Sequence, residues 1–219
     1  MAVAGQPAAG AVPALRFAVE GAEAVRFAAA PTIAFALRLE SDRPLRSVLL
    51  AVQLRIAATR RAYAAEEREP LAELFGEPER WGTTLRSLLW THETVLVPPF
   101  AGSTVVELPV ACTYDFEVAS AKFLNALAGG EVPLELLFSG SVFFDTPDGS
   151  LSTTRISWES EAVYGLPVAV WREALDHHFP GEAWLRVRRE VFDRLHAYRS
   201  ARALPTWEAA LEELLEERT

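Results

Sequence analysis

The sequence predicts an α+β protein, in which an antiparallel β-sandwich over residues 15–163 is followed by three C-terminal helices over residues 164–219. Three observations predict this fold class. Apolar and polar residues alternate with period two before residue 60, as they do in half-buried strands. Two β-prone runs flank a Pro-Asp-Gly turn between Glu131 and Val163, a pattern typical of a hairpin. Towards the C-terminus the apolar residues recur at helical spacing instead.

The first 14 residues are small and include prolines, and they lack a basic segment followed by a continuous apolar run. We therefore expect a flexible N-terminus rather than a signal peptide. The alternation begins at Leu15, is cleanest from Ile33 to Leu39, and resumes from Val48 to Ile56. These runs predict three or four antiparallel strands.

The pattern changes between residues 60 and 89, where the charged run from Glu66 to Glu69 is followed by apolar residues at helical spacing. We interpret this part as a helical crossover with a solvated charged run, either a lid or an interaction surface. Strand character returns from Val95 to Val110. Asp115 is then the expected N-cap of a helix over residues 116–127, which Gly129 and Gly130 would end.

The hairpin from Glu131 to Val163 is expected to lie at the centre of the sheet, with Trp158 buried. Each of the three C-terminal helices carries an apolar stripe with one tryptophan, namely Trp171, Trp184 and Trp207. We expect all three helices to pack on the same domain, and the last to be the most detachable.

Composition and charge narrow the classes of function. The net charge of −9 argues against nucleic-acid binding. One cysteine forms no internal disulfide, which indicates a reducing cytoplasm. No apolar run approaches the roughly 20 residues that span a bilayer, so no membrane insertion is expected.

No catalytic residue, metal site or cofactor is predicted. Glu173 and His177 have the i, i+4 spacing of two metal ligands, but an isolated pair of this kind is common by chance. Cys112 lies at a predicted strand-to-helix junction, where a helix N-terminus would lower the pKa of its thiol. A catalytic cysteine also needs a base, and the sequence indicates none.

The penultimate helix, predicted from Glu182 to Arg202, carries candidate partner-binding residues. At about 100° per residue, Arg188, Arg199 and Arg202 fall within its apolar sector. Arginines there require carboxylates, carbonyls or a partner protein. With Trp207 they form a weak candidate site. The alternative is an intramolecular helix pair, in which the arginines reach acidic residues of the last helix.

Four segments carry a resemblance to a known family. They are Trp90, the run Cys112-Thr113-Tyr114-Asp115-Phe116-Glu117-Val118, Phe138-Ser139-Gly140 and Leu166-Pro167-Val168-Ala169-Val170-Trp171. Over nearly its full length the chain resembles an actinobacterial family known only as a domain of unknown function. The genes of that family often lie beside those of high-affinity uptake nickel–iron hydrogenases. The resemblance implies an accessory or maturation role and supplies no catalytic residues.

A weaker similarity of pattern connects the sheet and the Leu-Pro-initiated helix to SecB-type export chaperones. The predicted sheet is accordingly either immunoglobulin-like or SecB-like. The leading hypothesis is a non-enzymatic accessory or assembly protein that binds another protein and is linked to nickel–iron hydrogenase maturation. The alternatives are an enzyme that uses Cys112 or an unrecognised carboxylate site, and a SecB-like chaperone. The sequence does not identify the partner or the oligomeric state, and a homo-oligomer is one of the alternatives.

Overall fold

The computed structural model describes residues 12–113, 115, 118–181 and 187–216, and the chain divides into two compact units, residues 1–183 and 184–219. Within its described residues the first unit contains eight strands. Their bounds are Leu15–Ala24 (β1), Thr32–Ser41 (β2), Ser47–Ile56 (β3), Leu88–Val97 (β4), Ser103–Ala111 (β5), Glu131–Asp145 (β6), Leu151–Arg155 (β7) and Glu161–Pro167 (β8).

The strands form two antiparallel sheets, which confirms the predicted α+β sandwich class. One sheet has the order β1-β2-β5, and the other has the order β4-β3-β6-β7 with β8 also paired to β6. The inward-facing residues of both sheets are buried in a single core cluster. The rings of Phe17 and Phe138 stack with centroids 4.2 Å apart across this core, so an aromatic contact joins the two sheets.

The hairpin prediction is confirmed in its main feature. Strand β6 lies at the centre of the five-stranded sheet, where it pairs with β3 on one side and with β7 and β8 on the other. Strand β7 pairs with the C-terminal part of β6, and β8 pairs with its N-terminal part. One 15-residue strand therefore organises the whole sheet.

The prediction that Trp158 is buried is wrong, because this residue is 87% exposed. The returning chain leaves the ladder between β7 and β8 in a turn, in which the Ser160 amide donates to the Ser157 carbonyl at 3.0 Å. The ladder resumes where the Phe138 amide donates to the Ser160 carbonyl at 2.9 Å. Trp158 sits at the tip of this turn, away from the core.

Four α-helices belong to the first unit: Ala65–Phe75 (α1), Trp81–Thr84 (α2), Ala119–Asn125 (α3) and Val168–Asp176 (α4). Helices α1 and α2 lie in the predicted crossover between β3 and β4. Phe75 of α1 and Phe123 of α3 are both buried, with their rings edge to face at 6.3 Å. Helix α3 begins later than predicted, and Val118 rather than Asp115 precedes it. Phe116 and Glu117 lie outside the described residues.

The prediction of a solvated run in the crossover is wrong for Glu67, which is only 2% exposed. Its carboxylate accepts hydrogen bonds from the Arg61 guanidinium at 2.6 Å, the Ala64 amide at 3.0 Å and the Ala128 amide at 2.8 Å. The buried charge is therefore paired and hydrogen-bonded, as burial of an ion requires. These bonds attach the start of α1 to the segment that precedes β6.

Helix α4 packs into the core of the first unit through Trp171 and Leu175. The second unit contains helices Arg189–Ala201 (α5) and Trp207–Glu216 (α6) among its described residues. The predicted beginning of the penultimate helix, including Trp184, lies outside the described residues. Packing of α5 and α6 on the sandwich stays a prediction.

Candidate protein-binding surfaces

The second unit is a pair of helices joined by a short turn. Helix α5 ends where Ala203 adopts a φ of 52°, in the left-handed region that few residues other than glycine enter. Pro205 follows and cannot continue the helix. The Thr206 hydroxyl then accepts a hydrogen bond from the Ala209 amide at 3.1 Å, which caps the start of α6.

Trp207 holds the two helices of the second unit together. Its ring lies 5.3 Å from the Phe192 ring and 6.0 Å from the His196 ring, measured between centroids. The Arg199 guanidinium carbon lies 4.0 Å from the centroid of the Trp207 ring, a cation–π geometry. Side chains on one face of α5 therefore contact Trp207, the first residue of α6.

The structure brings Arg199 and Trp207 together and gives Arg202 partners within the second unit. The Arg202 guanidinium is paired with the Glu213 carboxylate and lies 4.7 Å from the centroid of the Tyr198 ring. This is the intramolecular helix pairing that the sequence left open as the alternative. Arg188 directly precedes α5, where its side chain is exposed and its carbonyl accepts from the Phe192 amide at 3.0 Å.

Large apolar side chains remain exposed on both helices of this unit. They are Val191, Phe192, Leu211 and Leu215. Helix α5 buries none of its residues, and Ala210 is the only buried residue of α6. The described part of the second unit thus presents apolar area to its surroundings.

The two outer faces of the sandwich differ in chemistry. We call the outer face of the three-stranded sheet the alanine face, because Ala18, Ala34 and Ala36 line it. Its other side chains are mainly charged, namely Arg16, Glu20, Glu23, Arg38, Glu40 and Glu107. Three shallow grooves of about 200, 400 and 430 Å³ lie along this face. The alanine face is thus the polar outer face that is expected of an antiparallel sheet.

We call the outer face of the five-stranded sheet the leucine face. Its exposed large apolar residues are Leu49, Leu89, Leu96, Leu151 and Val163. Register makes Leu49 and Leu96 direct cross-strand neighbours, whereas Leu89, Val163 and Leu151 lie on the same face opposite Arg55, Glu135 and Asp145. Sequence reasoning missed this surface. The signal was present in β3 and β4, where Leu49, Leu89 and Leu96 interrupt the polar side of the alternation.

Cys112 is buried, and burial raises the pKa of its thiol from the ordinary 9.0 to about 12. The expected lowering by a helix N-terminus is wrong, since the next helix, α3, begins seven residues further on at Ala119. The thiol instead lies within hydrogen-bond reach of the Val110 carbonyl, at 3.8 Å. A thiol with this pKa is a weak nucleophile at neutral pH.

Glu173 lies in the C-terminal part of α4 and His177 directly follows this helix, with the carboxylate 3.7 Å from the imidazole Nε2. Among the described residues no third histidine, cysteine, aspartate or glutamate joins them as a potential metal ligand. Nor does any described helix combine the length and apolarity required to cross a membrane.

Comparison with models of protein families identifies the family of this chain. The model of a family described as a family of unknown function, DUF6084, matches residues 12–219. No curated protein is similar enough to match the sequence.

Two solved structures show a distant likeness, and both are of β-glucosidase from Kluyveromyces marxianus. The selenomethionine-labelled enzyme is 10% identical, with 70% of this chain and 15% of that chain covered and a TM-score of 0.27. The complex with glucose is 10% identical, with 69% and 15% covered and a TM-score of 0.26. The chain thus spans about 15% of the length of these enzymes. A TM-score this low supports no conclusion about fold or activity.

Proposed function

Because the chain belongs to the DUF6084 family, whose function is unknown, we propose from the second unit itself that this is a non-enzymatic accessory or assembly protein. The proposal is that α5 and α6 bind another protein. The observation that carries it is the exposure of large apolar side chains on a unit of only 36 residues. Contiguous exposed apolar side chains mark interaction sites in soluble proteins.

The spacing of the exposed residues suits recognition by a helix. Leu211 and Leu215 are four residues apart on α6, so their side chains lie on the same side of the helix. A helix that binds in a groove contacts its partner through residues at this spacing. Leu215 is 70% exposed and is the most accessible large apolar residue among the described residues of the second unit.

The arginines beside this apolar area add polar contacts. Arg199 stacks on Trp207, and arginine and tryptophan are over-represented among residues that contribute most to binding energy. Arg188 is exposed at the start of α5. Arg202 contributes to folding of the helix pair through Glu213.

The class of partner follows from the resemblance alone. A family encoded beside uptake nickel–iron hydrogenases would bind a hydrogenase subunit or another of its assembly proteins. The single cysteine favours the cytoplasm as the place of binding. Both points are part of the proposal.

Affinity capture of the tagged chain from its native host tests the proposal. Four forms are compared by quantitative mass spectrometry: the full chain, a chain that ends at residue 183, Leu211→Glu/Leu215→Glu, and Val105→Glu. We expect the full chain and Val105→Glu to retain the same partner, and the other two forms to lose it. Val105 is exposed on the alanine face, so Val105→Glu is a control for placing a glutamate at an exposed apolar position outside the helices.

The truncated form should fold, because the core cluster of buried residues runs from Ile33 to Leu175 and lies entirely within the first unit. Circular dichroism of the purified truncated chain checks this. Capture of the same partner by the chain ending at residue 183, or retention of a partner by Leu211→Glu/Leu215→Glu, would contradict binding through the helices.

A further inference from the structure

The leucine face is an exception to the usual design of an antiparallel sandwich. An outer sheet face that contacts water is normally polar, as the alanine face is. Val105 is the only large apolar residue exposed on the described alanine face, whereas five are exposed on the leucine face. Leu49 and Leu96 are cross-strand neighbours, so they form one continuous apolar area.

The charges of the leucine face are balanced, although the chain carries a net charge of −9. The acidic residues that the register places on the outer side of its strands are Glu131, Glu135, Asp145 and Glu161, whereas Glu93 of β4 pairs with the buried Val52 on the inner side. The basic residues are Arg55 and Arg155 of the strands, with Arg46 and Arg60, which pair with Asp145 and Glu135. Four acids therefore face four arginines. Two acidic molecules can approach each other through this face without a net repulsion.

Some charges of the leucine face have no ionic partner among the described residues. Arg55 and Arg155 form no ion pair there, and neither does Glu161. A face that carries both positive and negative side chains can form ion pairs with the same face of a second copy across a two-fold axis.

The leucine face is large enough to form an interface with the same sheet of a second copy. Strands of ten residues at about 3.3 Å per residue are about 33 Å long, and four strands abreast at about 4.8 Å are about 19 Å wide. The face therefore covers roughly 600 Å², or about 1,200 Å² for two copies, which is the lower limit of a standard specific interface. Two flat sheets can pack face to face at about 10 Å separation.

From these observations we infer that the leucine face is the interface of a homodimer, in which two copies pack their five-stranded sheets face to face about a two-fold axis. This interface is separate from the proposed partner-binding surface on α5 and α6. The molecule that binds to the leucine face is a second copy of this chain. Leu49 and Leu96 lie in its apolar part, and Arg55, Arg155 and Glu161 are available for ion pairs between the copies.

Sedimentation equilibrium of the purified full chain between about 1 and 100 µM tests the inference. We expect a mass of twice 24.1 kDa for the wild type. In Leu49→Glu/Leu96→Glu the dissociation constant should rise by about 100-fold or more, because carboxylates would be buried without partners. The matched control is Val105→Glu, since Val105 is 47% exposed and Leu49 is 46% exposed. This control should remain dimeric.

Leu49→Ser/Leu96→Ser is the second variant, and circular dichroism verifies that each variant is folded. A monomeric wild type over this concentration range would overturn the inference. A dimer that survives in the folded glutamate and serine variants would also overturn it, because the interface would then lie elsewhere. A dimer that is lost only when residues 184–219 are deleted would assign the interface to the helices instead. None of these outcomes depends on capture of another protein, so the two proposals fail separately.

Discussion

Two tryptophans of the first unit differ in energetic role, because one lies on a helix in the core and the other lies at the tip of a turn. Trp171 is buried on α4, and Trp158 is exposed between β7 and β8. The helical spacing of apolar residues around Trp171 predicts its burial correctly. No comparable pattern indicates that the chain leaves the ladder after Arg155, so the position of Trp158 could not be predicted from local sequence.

Trp171→Ala should lower the free energy of unfolding by about 3–5 kcal/mol, because it removes a large buried ring and leaves a cavity. Trp158→Ala should change it by no more than about 0.5 kcal/mol. Urea titration followed by circular dichroism measures both values. Equal losses of stability in the two variants would mean that Trp158 is covered in solution.

The thiol of Cys112 gives the protein a predicted sensitivity to alkali. Below pH 9 the thiol is protonated in the folded and the unfolded chain, so its stabilising contribution is fully present. Between pH 9 and about 12 the unfolded chain releases the proton while the folded chain retains it. The free energy of unfolding therefore falls as the pH rises through this range.

Cys112→Ala should remove this part of the pH dependence. The stability lost between pH 7 and pH 10.5 should be smaller in the variant than in the wild type by about 1–2 kcal/mol. The pKa of Tyr63 is also raised to about 12, and this tyrosine is present in both proteins, so the difference isolates the cysteine. Identical pH profiles would show that the thiol is accessible to solvent in the folded protein.

At the scale of elements, most strands and helices could be predicted because burial of one face imposes a period on the sequence. Strands β2, β3 and β6 show the period of two, and α4 shows the helical period. The buried Glu67 could not be predicted, since its partners at Arg61 and Ala128 come together only in the folded chain. The leucine face was missed for a related reason: its exposed apolar residues come from four strands, and only register shows that they share one face.

Gly140 allows β3 and β6 to approach closely in the middle of the sheet. Its φ is +134°, and a Cβ atom there would lie 2.0 Å from the Leu49 carbonyl oxygen. Gly140→Ala should therefore destabilise the sandwich by about 3 kcal/mol or more, since backbone atoms would have to move.

Gly21→Ala is the matched control for Gly140→Ala. Gly21 also lies in a strand, has no positive φ, and leaves open space around an added Cβ. Its substitution should change the free energy of unfolding by less than about 1 kcal/mol. Thermal unfolding of both variants measures the difference, and equal effects would contradict the close approach of β3 and β6.

At the scale of the whole molecule, the chain combines a sandwich that contains the buried core with a small helical unit that buries little. The α+β class was predictable because periodicity extends over most of the chain, and the family was identified from the resemblance of four short segments. Binding through α5 and α6 and dimerisation through the leucine face are distinct proposals, since they use different units of the chain.

The central claim is that the exposed apolar area of α5 and α6 contacts another protein in the cell. Site-specific photo-crosslinking tests it most directly, with a photoreactive phenylalanine analogue in place of Leu215 and, as control, in place of Glu40 on the alanine face. The account predicts a covalent adduct with a different protein from position 215 and none from position 40. An adduct from position 40 but none from position 215 would contradict it.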